Sequence, residues 1–200
     1  MSVAAPAVEP VGSVSSDGSA RRILDVADRL FYERGIAAVG MDDVRDDADV
    51  SLRRLYTLHP SKRALVGAWL EDRHVRWMSW FTTTVEQGVR SGKEPVVAVF
   101  DTIEEWALAP GYRGCAFLNA IAETTEIDDT HRAIAARHKQ SLLTYLSGIA
   151  ARSLSAPPQW LPGALGVLID GAIVQSIVLA TTTPITDARH AASRLLESLR

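Results

Sequence analysis

The chain has 200 residues, 47% hydrophobic and 22% charged, with 21 Lys and Arg against 24 Asp and Glu for a net charge of −3. That size fits one compact unit or a small head on a larger body, and such a core needs no covalent staples. A single cysteine, Cys115, excludes an internal disulfide and a Cys-rich metal site, and it fits a reducing, cytoplasmic compartment as a small buried hydrophobe.

Residues 1–18 carry no Lys or Arg and no sustained apolar run, so they do not read as a secretory signal; the composition predicts a disordered N-terminal arm. The first predicted helix follows, with Ile23, Leu24, Ala27, Leu30 and Phe31 on one stripe and Gly35 as its stop. Met41, Val44 and Ala48 then keep helical spacing over two turns. Asp49, Val50 and Ser51 occupy a tight turn, and a short helix runs from Ser51 to about Leu58 with Leu52 and Leu55 expected inward. Two short helices meeting across a turn that holds an apolar residue make a helix-turn-helix pattern, whose second helix enters a major groove.

These spacings resemble the TetR family of bacterial transcriptional regulators: Leu30-Phe31, Gly35, Asp43-Val44, Val50-Ser51, Leu55-Tyr56 and Ser61-Lys62 stand where that family has its motif residues. The resemblance covers about a quarter of the chain. It implies a homodimer, a DNA-reading head at 19–66 and an all-helical ligand-binding and dimerisation domain at 67–200. Four positions depart from the pattern. Gly40 replaces a hydroxyl residue, Arg45 an alanine, Asp49 a turn glycine and His59 a phenylalanine. Asp is one of the few residues besides Gly that visits the left-handed region, so the turn can survive, whereas losing the hydroxyl at 40 removes a phosphate contact.

Charge within the head is nearly balanced, with nine basic residues against eight acidic ones over 19–66. What matters for DNA is where the basic groups cluster, because sequence-independent affinity comes from phosphate neutralisation. Arg53, Arg54, Lys62 and Arg63 cluster in and just after the recognition helix; Asp42, Asp43, Asp46 and Asp47 read as a solvated face of the preceding helix. Ser51, Arg53 and Arg54 lie near the end that reaches base edges, and an arginine suits the O6 and N7 acceptors of guanine. The resemblance gives Tyr56 a phosphate contact. Ser61 is expected to cap the next helix while its first amides and Lys62 hold a phosphate oxygen. With His59, the candidate DNA-binding set is Ser51, Arg53, Arg54, Tyr56, His59 and Lys62.

From Ser61 to about Val89 a long helix presents Leu65, Trp69, Arg73, Trp77 and Phe81 at intervals of four. Pro95 opens another, with Val96, Val99, Phe100, Ile103 and Trp106 on its apolar side through Leu108. Residues 113–123 resemble a short cavity-lining helix of the family. Helices at about 129–154 and 159–182 follow. The first offers Ala133, Ile134, Ala136, Leu142, Tyr145, Leu146 and Ile149, and the second is apolar nearly all round, which predicts pairing with its copy across a two-fold axis. Pro162, Gly163, Asp170 and Gln175 argue against a membrane span in that segment. Pro184 breaks the pattern before a terminal helix at 186–199.

The aromatic groups Trp77, Phe81, Phe100, Trp106, Tyr112 and Phe117, with Glu104, Asn119 and Glu123 as polar anchors, form the candidate ligand site for a small hydrophobic effector. No phosphate loop or nucleophile elbow occurs. The histidines lack metal spacing and are expected to be solvated, so neither catalysis, a cofactor nor a metal is expected. The sequence thus reads as an all-α regulator whose partners are an operator duplex, a second copy and an effector. The alternative is a dimeric helical small-molecule-binding protein whose head has lost its grip on DNA.

Overall fold

The computed structural model describes residues 18–123 and 129–200, so the expected disordered arm falls outside the described residues except for Gly18. The described residues form nine helices and no strand: α1 (Ser19–Arg34), α2 (Met41–Ala48), α3 (Leu52–Leu58), α4 (Lys62–Arg90), α5 (Pro95–Leu108), α6 (Ala116–Glu123), α7 (Asp129–Ser153), α8 (Leu161–Leu179) and α9 (Thr183–Ser198). The all-α expectation holds.

Two compact units divide the described residues, one formed by 18–77 with 115–123 and 129–137, the other by 78–114 with 138–200. The expected boundary at residue 66 does not coincide with the edge of the first unit, and the reason is local. Trp69 and Arg73 of α4 are buried against α1: the Trp69 indole N–H donates to Asp28 Oδ1 at 2.7 Å, and Arg73 Nη1 meets the same oxygen at 2.5 Å. Phe31 and Trp69 stack edge to face at 5.3 Å, and the Arg73 guanidinium lies 3.9 Å from the centre of the Tyr32 ring. The first turns of α4 thus belong to the core of the small unit.

In that unit, α1 ends at Gly35, whose φ of 86° lets the chain turn without a side-chain clash. Ile36 and Val39 of the connection are buried with Val44 and Ala48 of α2. Leu55 of α3 is fully buried as expected, but Leu52 is 44% exposed, because it occupies the first helical position, where the helix has only begun to turn toward the core.

In the second unit α5, α8 and α9 pack together. Glu94 caps α5 by accepting the Val96 and Val97 amides at 2.9 and 3.0 Å, with Pro95 just inside. Pro184 opens α9 instead of preceding it, since a ring in the first turn removes only a donor that the helix does not use. Helix α7 begins in the first unit, where residues 133 and 136 face solvent, so its buried side is narrower than expected. His131 and His138 take that place: both are buried, against the expectation of solvated histidines, and His131 Nε2 lies 3.1 Å from the Arg63 carbonyl. Seven residues apart on a helix, they share its inward face.

Candidate nucleic-acid interface

The turn that presents α3 is built from backbone hydrogen bonds. Asp49 adopts the left-handed conformation at φ 49°, ψ 55°; its N–H donates to the Asp46 carbonyl and the Val50 N–H to the Arg45 carbonyl, closing α2. Asp thereby does the work expected of glycine. At the other end of α2, Gly40 has no side chain to offer, but its N–H donates to Asp43 Oδ2 at 2.7 Å, so one of the aspartates serves as a cap.

Ser51 is the N-cap of α3, its hydroxyl oxygen accepting the Arg54 N–H at 3.1 Å. Ser51, Arg53 and Tyr56 are exposed, Arg54 and Lys62 half-buried. Ser61 caps α4 as expected, accepting from the Ala64 N–H at 3.1 Å and so setting Lys62 at the helix's positive end. His59 stands at the C-cap of α3. Burial lowers its pKa below the ordinary histidine value, which favours the neutral ring and denies the site a cation at neutral pH.

The aspartates are distributed to a purpose that sequence alone does not disclose. Arg29 pairs with Asp47 at 2.6 Å, Arg34 with Asp43 at 3.7 Å, and Arg45 with Asp42 and Asp46 at 2.8 and 2.7 Å. Arg21 is held by Asp25 and Asp72 at 2.5 and 2.6 Å. Arg53 and Lys62 face no carboxylate among the described residues. Apart from Arg22, whose Nε donates to the Ala48 carbonyl at 3.4 Å, the arginines of α1 and α2 are thus answered by carboxylates, and Arg53 and Lys62 are left for an outside anion where α3 begins and where α4 follows it.

The candidate ligand residues fall elsewhere. Phe81 and Phe100 are fully buried, and Trp77, Trp106 and Phe117 are at most 5% exposed, packed as core. Asn119 is half-buried. The Glu104 carboxylate accepts from the Thr186 hydroxyl at 3.0 Å and from Arg189 at 3.3 Å, while Glu123 accepts from the Ile36 and Ala37 amides at 2.5 and 3.2 Å. A cavity of about 590 Å³ opens instead at the ends of α5 and α8, lined by Leu108, Tyr112, Ser176, Ile177, Ala180 and Thr181 among others. There the Tyr112 and Ser176 hydroxyls lie 3.1 Å apart and the Tyr112 ring meets Trp106 edge to face. Among the described residues no group of three His, Cys, Asp or Glu could hold a metal.

Residues 23–69 match the family model for bacterial regulatory proteins of the tetR family. Two uncharacterized HTH-type transcriptional regulators of Mycobacterium tuberculosis are 34% identical over 86 residues, 43% of this chain and 36% of their own length. A TetR-family transcriptional regulator from Streptomyces coelicolor superposes with a TM-score of 0.76 at 28% identity, covering 92% of this chain and 97% of that one. Over residues 23–69 the chain therefore carries the DNA-binding domain of the tetR family, and over its length it is similar to a TetR-family regulator. Reduced NemR of Escherichia coli shares the fold, with a TM-score of 0.77 at 18% identity over 89% of this chain and 97% of that one.

Within this TetR-family head, sequence reasoning missed the buried pair of Asp28 and Arg73. The signal was present: Arg73 interrupts an otherwise apolar stripe at intervals of four, and a charge in such a stripe needs a buried counter-charge. Asp28 stands beside Ala27 on the stripe of α1 that faces it. Burial alone would raise the Asp28 carboxyl, but Arg73, Arg76 and the Trp69 indole hold it below the usual carboxylate range.

Proposed function

We propose that this protein is a homodimeric, DNA-binding transcriptional regulator of the TetR family that represses by occupying an operator and lets go when a small hydrophobic effector binds. One observation carries the DNA reading: aspartates pair with Arg21, Arg29, Arg34 and Arg45 on α1 and α2, while among the described residues Arg53 and Lys62, on either side of the exposed Tyr56, meet no acid. Arg53 and Arg54 read base edges, at least one of them a guanine, while Tyr56, Lys62 and the first amides of α4 hold phosphate. Asp49 keeps the turn in the left-handed shape that presents α3, which supports a head that still meets DNA.

The second copy is favoured by α8. Val167, Val174 and Val178 are exposed on one side, at 73%, 48% and 76%, with Gly163 and Gly171 on the same stripe and open space where their Cβ atoms would be. By length and apolar composition α8 could also cross a bilayer, but its other face packs with α5 and α9 and Asp170 pairs with Lys139, which suits a helix that meets a matching helix. Pairing two copies sets two α3 helices roughly 34 to 36 Å apart, one turn of the duplex.

For the effector, the cavity beside Tyr112 and Ser176 is the better candidate than the closed aromatic cluster, since it combines apolar walls with hydroxyl groups. A coupling of about 1 to 3 kcal/mol between the sites would weaken DNA binding roughly 5- to 150-fold. The deciding experiment is a salt titration of binding to duplexes selected from a randomised pool. Binding that weakens with salt and depends on Arg53 and Lys62 is expected. A protein that selects no duplex at low ionic strength, or one that binds equally well with both residues neutralised, would overturn this function.

A further inference from the structure

The Glu123 carboxylate is committed in a way that neither a ligand site nor a surface residue requires. Its Oε2 accepts two successive backbone amides, Ile36 at 2.5 Å and Ala37 at 3.2 Å, from a connection 86 and 87 residues earlier in the chain. The connection is shaped to receive it. Gly35 has a φ of 86°, which turns the two following amides toward one point, and a Cβ at 35 would lie 3.0 Å from Oε2 and 3.2 Å from Oε1. Any other residue there would be strained by its backbone and would crowd the carboxylate. Ile36 and Val39, which flank Ala37 in this connection, are buried in the core that fixes α2, and α2 fixes α3 through the Asp49 turn.

The other end of the same segment is fastened too. Gly114, at φ 74°, precedes α6 and packs so closely on α8 that a Cβ would collide with Ile177 Cδ1, and Ile177 lines the cavity with Tyr112 and Ser176.

We infer that Glu123 is the positioning residue through which α6 holds the α1–α2 turn, and with it the recognition helix, in the geometry that reads DNA. The inference rests on the DNA-binding reading above. A carboxylate accepting two amides is a charge-assisted contact, strong enough to bias the turn and breakable by a small displacement of α6. A neutral Gln retains an acceptor oxygen at the same reach, Asp is one methylene short, and Ala has no acceptor.

The test uses a duplex selected from a randomised pool by the wild-type chain, with Arg53→Ala as the reference for lost contact. Glu123→Ala and Glu123→Asp are expected to bind it about 10-fold more weakly and Glu123→Gln within about 3-fold of wild type, as for loss or weakening of charged hydrogen bonds. Amide exchange at Ile36 and Ala37 should quicken in the Ala and Asp variants and not in Gln. If the wild type selects no duplex, the DNA reading fails and the positioning role falls with it. If it selects one that Arg53→Ala loses, while Glu123→Ala binds like wild type or Gln is as weak as Ala, the inference alone is overturned.

Discussion

Helices α2 and α3 are neighbours of eight and seven residues with opposite electrostatic fates. On α2 the single arginine is flanked by Asp42 and Asp46, and Asp43 and Asp47 reach back to Arg34 and Arg29 of α1. On α3 Arg53 has no acid to meet among the described residues. A head whose charges nearly cancel in sum can still present a concentrated cationic edge, because cancellation is decided pair by pair within about 4 Å and the duplex responds to what is left over. Net charge is the wrong quantity for judging such a domain.

That contrast can be broken most severely at its foundation. Replacing Asp28 with Asn should destabilise the protein by about 3 to 5 kcal/mol, since it strands the buried Arg73, and the loss would appear as a lower Tm in thermal unfolding. The folded-state pKa of Asp28 is depressed, so its stabilisation is present above the ordinary value near 3.8 and is lost as pH falls through the lower folded value. The acid limb of a stability profile should shrink in the variant.

Next in size, Arg53→Ala should cost about 1 to 3 kcal/mol of affinity for a selected duplex, measured by fluorescence anisotropy. Arg45→Ala should leave that affinity nearly unchanged, because its charge is already answered; equal losses from the two substitutions would erase the distinction between the helices. Outside the head, Val178→Glu should turn a dimer into a folded monomer in sedimentation velocity, and DNA affinity should fall with it. An unchanged dimer would remove α8 from the interface.

The smallest effects concern the turn and the ring that follow these helices. Asp49→Val should destabilise by about 1 to 2 kcal/mol, since a β-branched residue resists the left-handed conformation that Asp accepts. His59→Gln should leave the salt dependence of DNA binding at pH 7 unchanged, because the half-buried ring is neutral there and displaces no counterion. A shallower slope in that variant would place a cation at His59.

Much of this was legible beforehand because it depends on neighbours in sequence. The stop at Gly35, the Ser61 cap, the Asp49 turn, the stripe from Leu65 to Phe81 and the apolar circumference of α8 are all consequences of helical period and local hydrogen bonding, which operate over a few residues. The pairing of Asp28 with Arg73, the commitment of Glu104 to α9 and of Glu123 to the α1–α2 turn, the burial of His131 and His138, and the opening of the cavity beside Tyr112 and Ser176 rather than among the buried aromatic groups join positions 40 to 90 residues apart or depend on which space the packed helices leave empty. Periodicity states which face of a helix turns inward; it carries no information about what that face will meet, and the chemistry of a polar group is set by what it meets.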